Sequence, residues 1–164
     1  MRNIDDYNFR NRKALLRVDF NVPLNNELIV TDETRIVAAI PTIKKIINEG
    51  GSVILMSHLG RPDKGPEDKY SLKHIIPNLQ EKLGKEVKFA GDCIGSLALQ
   101  LSKTLGTGEI ILLENVRFYQ EEIQGDHDFA IELAKLGDIY VNDAFGTAHR
   151  ALSLIHISEP TRPY

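Results

Sequence analysis

The sequence predicts an α/β protein, a Rossmann-like parallel sheet flanked by helices on both faces (three layers, α/β/α). Three observations predict it. Short apolar runs alternate with longer amphipathic stretches along the 164 residues, the βαβα rhythm that parallel sheets require. The runs at 52–56 (SVILM) and 109–113 (EIILL) are almost wholly apolar, as strands covered on both faces must be. Polar residues least suited to a core sit just beyond the C-terminal ends of such runs, where parallel sheets bind ligands.

The elements follow in order. Ala14–Phe20 (ALLRVDF) is the first strand. Thr34–Asn48 has helix spacing, with Ile36, Ala39, Ile40, Ile43 and Ile47 on one face. Thr31 and Asp32 are candidate caps, Gly50-Gly51 a stop, and Pro41 a kink, because proline removes a backbone donor. Ser52–Met56 is the next strand. Ser71–Leu83 reads as a helix interrupted by Pro77, and Glu86–Phe89 as a short strand. Ile94–Leu105 is helical, with Ile94, Leu97, Ala98, Leu101 and Leu105 on one side. Glu109–Leu113 is a strand, Asp126–Lys135 a helix capped by Asp126, and Asp138–Val141 the last strand. A sheet of five or six strands results, with Ala14–Phe20, SVILM, EIILL and DIYV as neighbours near its middle. Gly60–Lys69 (GRPDKGPEDK) is an exposed loop, too short and badly placed for a domain linker.

The length suits one domain with a real core. A net charge of −3 argues against a general nucleic-acid binder. Cys93 is the single cysteine, so no intrachain disulfide forms; it reads as a small buried hydrophobe in a reducing compartment. No signal-peptide pattern opens the chain and no apolar run is long enough to span a membrane. The expected location is the cytoplasm, with neither nucleic acid nor membrane as a partner.

Four loops bring chemistry to the predicted C-terminal sheet edge. They are Asp19–Pro23, Ser57–Pro62, Glu114–Phe118 and Asn142–Arg150. Arg61, Arg117 and Arg150 lie in them, Arg35 opens the first helix near the same rim, and His58 adds a fifth donor. This local cationic excess in an acidic chain points to a small polyanion, because the guanidinium fork pairs with phosphate or carboxylate through two parallel hydrogen bonds. Asp19 and Asn21 suit a ligand hydroxyl. Each residue alone has an ordinary structural role: a solvated arginine, an aspartate capping a turn, a hydrogen-bonded histidine. Their joint placement at separate strand ends is what favours a ligand.

Familiar phosphate motifs are missing. There is no GxxxxGK[ST] and no GxGxxG after the first strand; Gly106-Thr107-Gly108 precedes a strand and reads as a turn. His58, His127 and His149 lack metal-ligand spacing, so no structural zinc is expected. No serine or cysteine nucleophile stands out.

RVDFNVP (17–23), DETRI (32–36), MSHLGRP (56–62), LLENVRF (112–118) and VNDAFGTAHRA (141–151) together resemble phosphoglycerate kinase, in that family's order and at about its spacing. The resemblance covers residues 1–151. It implies the N-terminal of two α/β domains, which binds 3-phosphoglycerate or 1,3-bisphosphoglycerate in glycolysis. It also implies that Asp19 and Asn21 hold the glycerate hydroxyl and its surroundings. Arg35 is implied to approach the carboxyl or acyl-phosphate end, as the catalytic contribution of this half. His58, Arg61, Arg117 and Arg150 are implied to hold the 3-phosphate and its surroundings, with Leu59 and Gly60 also implied to bind substrate. Magnesium-ATP or ADP is implied to bind a C-terminal domain absent from this sequence, with no nucleotide, cofactor or metal bound by the residues present, and the parent enzyme is implied to be a monomer.

Leu152–Tyr164 (LSLIHISEPTRPY) does not resemble the family and is similar to a translated sequencing adapter, so it is expected to pack poorly. Three readings stand at this point. One is a truncated phosphoglycerate kinase, inactive alone. A second is a stand-alone anion-binding module, against which the adapter-like tail speaks. A third is a dehydrogenase-type nucleotide domain, against which the missing glycine fingerprint speaks.

Overall fold

The computed structural model describes residues 2–3, 7–62, 65–93, 95–119, 127–143 and 150–153; at 2–3, 127–130 and 150–153 it is the backbone that is described. The strands are β1 (Arg2–Asn3), β2 (Lys13–Arg17), β3 (Ser52–Met56), β4 (Lys88–Phe89), β5 (Ile110–Leu112), β6 (Ile139–Asn142) and β7 (Arg150–Ser153). The helices are α1 (Thr34–Asn48), α2 (Ile76–Leu83), α3 (Ser96–Thr104) and α4 (His127–Ala134). They form one sheet in the order β1-β7-β6-β2-β3-β5-β4. Its five-strand run β6-β2-β3-β5-β4 is parallel, and β2, β3, β5 and β6 are neighbours as expected. The edge differs from expectation: β7 returns antiparallel beside β6, and β1 pairs antiparallel with β7. Antiparallel strands at the edge of a parallel sheet are common in α/β folds. Leu152 and Ser153, the first two tail residues, complete β7; 154–164 lie outside the described residues.

The period-2 alternation of the strands divides the core in two. Ala14, Leu16, Val53, Leu55, Ile110, Leu112, Ile139 and Val141 face a cluster with Ile36 and Ile43 of α1 and Leu79 of α2. Leu15, Ile54, Met56, Ile111 and Leu113 face the opposite cluster, with Ala98 of α3 and Leu133 and Ala134 of α4. Helices thus cover both faces, and the central strands are buried at almost every position. Register brings Leu15 beside Ile54 and Ile54 beside Ile111, so three branched side chains stack across the middle of the sheet.

Local chemistry sets the element ends. α1 runs unbroken through Pro41. Pro41 and Val37 are both exposed, so the carbonyl four residues back that loses its donor can be satisfied by water. The N-cap of α1 is Glu33, which makes no side-chain cap bond; Asp32 stands one residue earlier and still serves the helix start, its Oδ1 accepting from Thr34 N at 3.0 Å and Thr34 Oγ1 at 2.7 Å. Thr31 does not cap; its hydroxyl donates back to Pro23 O at 3.3 Å. Beyond the helix Gly50 takes φ +91°, a left-handed conformation that glycine adopts without steric cost. Pro77 does not interrupt a helix. A 3-10 turn over Leu72–Ile75 precedes α2, and Pro77 occupies its first turn, where the missing N–H has no partner to lose.

The face assigned to α3 needs one correction. Leu97 is exposed, whereas Ala98 and Ser102 are buried. Ser102 earns its buried place because its Oγ donates to Leu136 O at 2.5 Å. In α1 the buried stripe is Ile36, Ala39, Thr42, Ile43 and Ile46, with Ile40 and Ile47 at its margin. Ile94 and the proposed cap Asp126 lie outside the described residues. Cys93 is fully buried, its Sγ donating to Glu114 O at 2.8 Å.

Candidate functional site

Three adjacent parallel strands, β2, β3 and β5, end on the same side of the sheet, and their following loops meet there. Val18 N still bonds to Met56 O at 3.0 Å, after which the first loop leaves the ladder. It is held to the second loop by side chains instead. Phe20 N donates to Ser57 Oγ at 2.9 Å, and that hydroxyl donates onward to His58 O at 3.1 Å. Asp19 Oδ1 accepts from Asn21 N at 3.0 Å, a turn closed by its own aspartate. Asn21 Oδ1 accepts from Gly60 N at 2.8 Å.

Arg35 joins this constellation from the first turn of α1. Its Nη1 donates to Asn21 O at 2.7 Å and to Asp19 Oδ1 at 3.3 Å. Both contacts use one nitrogen, so the other edge of the guanidinium remains for a ligand. The Arg35 side chain is 52% exposed and that of Asp19 36%, which keeps the pair at the rim.

Gly60 turns the second loop with φ +63°, and the Tyr70 ring lies 2.5 Å from where a Cβ would stand. No larger residue fits there. Arg61 follows at the surface, exposed. His58 is half-buried and interacts with other groups of the protein, as does Arg117. Arg117 sits in a 3-10 turn whose cap is Asn115: Asn115 Oδ1 accepts from Arg117 N at 3.0 Å. Asn115 Nδ2 donates to Leu59 O at 2.7 Å and to Tyr70 O at 2.9 Å. Glu114 is consumed internally, taking Leu72 N at 2.9 Å and Asn115 N at 2.8 Å on Oε1 and Ser71 Oγ at 2.7 Å on Oε2. Its charge is therefore matched by local donors.

Of the residues expected at the site, Asp19, Asn21, Arg35 and Gly60 are directly hydrogen-bonded into one cluster, and Leu59 and Arg117 are tied to it through Asn115. Arg150 begins β7 opposite Asn142, at the same sheet edge, and its side chain lies outside the described residues, as do 144–149. Ser57, Asn115 and Tyr70 were not singled out by sequence reasoning. All three act through backbone groups, which residue type alone does not reveal; Asn115 and Ser57 do lie inside the motifs quoted above.

A cavity of about 410 Å³ opens beside the cluster, between the segments 21–28 and 59–70. Asn21, Leu59 and Gly60 form one wall, with Val22, Leu24 and Tyr70 among the others; Arg35, Arg61 and Arg117 are not part of its lining. Near Arg117, Tyr119 Oη accepts from Cys93 N at 3.0 Å. Burial pushes the Tyr119 phenol up to about 12, so it keeps its proton at neutral pH and supplies no base. Among the described residues no three histidine, cysteine or carboxylate side chains gather as a metal site, and no helix is long and apolar enough to cross a membrane.

Comparison with known proteins agrees with the geometry. Residues 4–161 match the family described as phosphoglycerate kinase, a span that includes part of the 152–164 segment. The chain is 55% identical to the chloroplastic phosphoglycerate kinase of Volvox carteri over 85% of this chain and 30% of that protein. It is 52% identical to the cytosolic enzyme of Nicotiana tabacum, over 90% of this chain and 37% of that protein. The crystal structure of phosphoglycerate kinase from Pyrococcus horikoshii OT3 superimposes with a TM-score of 0.80 at 34% identity, covering 93% of this chain and 38% of that one. The chain thus spans about a third of the length of these relatives. Fold, motif order and family match agree, and the chain belongs to the phosphoglycerate kinase family.

Proposed function

We propose that residues 1–151 form the substrate-binding domain of a phosphoglycerate kinase, holding 3-phosphoglycerate or 1,3-bisphosphoglycerate, with 152–164 an appended segment. The observation that carries this reading is the cluster Arg35–Asp19–Asn21–Gly60, hydrogen-bonded across three elements, beside two further cationic turns. Asp19 and the Asn21 amide would meet the glycerate hydroxyl, Arg35 the carboxylate, and His58, Arg61, Arg117 and Arg150 the phosphate.

In the direction that consumes ATP the nucleophile is the substrate's own carboxylate, ionised near pH 4 and above. It needs no general base, which agrees with a site of cations and amides. A carboxylate oxygen attacks the terminal phosphorus of the nucleotide, and the bond from that phosphorus to ADP breaks. The work left to protein side chains is alignment and neutralisation of the transferring charge. Arg35 suits the second role: its position is fixed through Nη1, and its free edge can follow charge as it develops on the transferring group. The donor set here favours an anion over magnesium, since Asp19 is engaged by Arg35 and Glu114 by two backbone N–H groups and the Ser71 hydroxyl. The magnesium nucleotide is therefore assigned to the part of the family's length that this chain does not span. We assign the chain to glycolysis in the cytoplasm, as for the cytosolic relative, and the whole enzyme to a monomer.

Calorimetric titration of the chain with 3-phosphoglycerate tests the reading. Binding that weakens with salt is expected, through screening. A coupled assay with magnesium-ATP should show no turnover until a separately made C-terminal domain is added. No detectable binding at millimolar 3-phosphoglycerate by a folded chain, or turnover by the chain alone, would refute the assignment.

A further inference from the structure

We propose that Asn115 is a positioning residue: it clasps the base of the 60–69 loop and locks it to the Arg117 turn, so that Arg61 and Arg117 are presented as one unit. The clasp rests on geometry alone; its effect on ligand rests on the substrate reading above.

Leu59 and Tyr70 flank the loop that carries Arg61. Both of their carbonyls accept from a single side-chain nitrogen, Asn115 Nδ2, at 2.7 and 2.9 Å. The remaining polar atom of that amide, Oδ1, accepts from Arg117 N at 3.0 Å. Asn115 is fully buried, so both of its N–H donors and its carbonyl oxygen are engaged within the protein and no water competes for these bonds. The residue type is demanded by the arrangement. Aspartate offers no donor to the two carbonyls. Serine caps Arg117 N as well but cannot span to Leu59 and Tyr70. Glutamine would place an extra methylene in a closed site.

The pinning is two-sided. The Leu59 carbonyl and the Gly60 N–H belong to one peptide group, and the Gly60 N–H donates to Asn21 Oδ1 at 2.8 Å. One asparagine holds each edge of that peptide plane, and the next residue is Arg61. The Tyr70 ring fills the space where Gly60 has no side chain, which closes the loop base a second time. Glu114 then fixes the frame, binding the Asn115 N–H together with Ser71 and Leu72 beyond the loop. A local two-loop unit of this kind moves as one body, so loss of Asn115 should disorganise Arg61 before it affects the core.

The test compares Asn115→Ser, which keeps the Arg117 cap and removes the clasp, with Ser102→Ala. The control also removes a buried side-chain bond to a backbone carbonyl, but on α3. In Asn115→Ser the Gly60 amide should exchange at least tenfold faster, while those of Arg117 and Leu55 stay within about twofold. Affinity for 3-phosphoglycerate should fall at least tenfold, and adding Arg61→Ala should then cost less than threefold more, because Arg61 is already misplaced. Ser102→Ala should lower the melting temperature and leave Gly60 exchange and affinity unchanged. Unaltered Gly60 exchange in Asn115→Ser, or the same effects in Ser102→Ala, overturns the clasp. If Asn115→Ser fails to fold, exchange in the unaltered chain decides. Gly60, Leu72 and Arg117 should open together, faster than Leu55, and separate rates overturn the proposal. If the unaltered chain binds no 3-phosphoglycerate while the exchange pattern holds, the substrate reading fails and the clasp stands.

Discussion

Replacing Arg35 by alanine should separate affinity from stability. The side chain is 52% exposed and pairs at 3.3 Å with an Asp19 side chain that is 36% exposed. Exposed ion pairs of this kind contribute about 0–1 kcal/mol. The Asn21 carbonyl that loses its 2.7 Å bond sits at the rim, where water replaces the guanidinium. Unfolding should therefore shift by no more than about 1 kcal/mol, or roughly 2–4 °C in Tm for a domain of this size. Binding should suffer more. A charged hydrogen bond to ligand is worth about 1.5–3 kcal/mol, which is roughly a 10- to 150-fold loss of affinity. Removing Arg35 also takes the neighbouring cation from the Asp19 carboxylate beside a polyanion, which pushes the loss towards the upper end. Arg35→Lys should recover part of it, keeping the charge and losing the fork. Calorimetry with 3-phosphoglycerate and a thermal melt on the same samples read the two quantities. Unchanged affinity in Arg35→Ala removes Arg35 from the site, and a fall in Tm beyond about 8 °C means that it is a structural residue.

Further outcomes are expected elsewhere. Ile54, fully buried between Leu15 and Ile111, should cost about 2–5 kcal/mol on truncation to alanine, read as a urea midpoint shift with unchanged m value. Tyr119, pushed up to about 12 by burial, should give a late phase in an absorbance titration, and Tyr119→Phe should abolish that phase. The folded state holds this proton more tightly than the unfolded chain, so the contribution of Tyr119 is level below about pH 10 and falls between about pH 10 and 12. At acid pH the sign reverses. Glu33 is held below the usual carboxylate range, first by Lys82 and then by Asn78 of α2. Its contribution is present above the ordinary glutamate value and lost as pH falls through the folded one, so Glu33→Gln should flatten the acid limb of a stability–pH profile.

Much of the fold was legible because period and burial agree. α1 and β3 fall at the predicted residues, the first from a sustained 3.6-residue stripe and the second from an unbroken apolar run. Boundaries were less legible where side chains compete with backbone ladders. β2 ends at Arg17 instead of Phe20 because Phe20 N turns to Ser57 Oγ. The exposed Leu97 and buried Ser102 invert hydropathy, since a satisfied hydroxyl can occupy a core position while a leucine on another face of the same helix stays outside. The antiparallel β7 had no signal of its own: its four residues, RALS, carry neither a clear alternation nor an apolar run.

The charges of the candidate site can be read from the sequence and its supports cannot, for one physical reason. A parallel sheet delivers every strand end to one edge, so cations just past strand ends can be read as convergent without knowing any contact. What fixes those cations is side chain to backbone bonding. Asn115 and Asn21 hold opposite edges of one peptide, and Ser57 bridges two loops. Such bonds are addressed to main-chain atoms that every residue possesses, so composition carries no trace of the partner. A buried asparagine just beyond an apolar strand is the one available hint, because an amide in a dry interior must be fully satisfied. Asn115 meets that condition with three bonds, two of them to the ends of the loop that carries Arg61. The support follows from the same topology that gathers the charges: loops leaving adjacent strands have no ladder of their own, and short polar side chains must supply one.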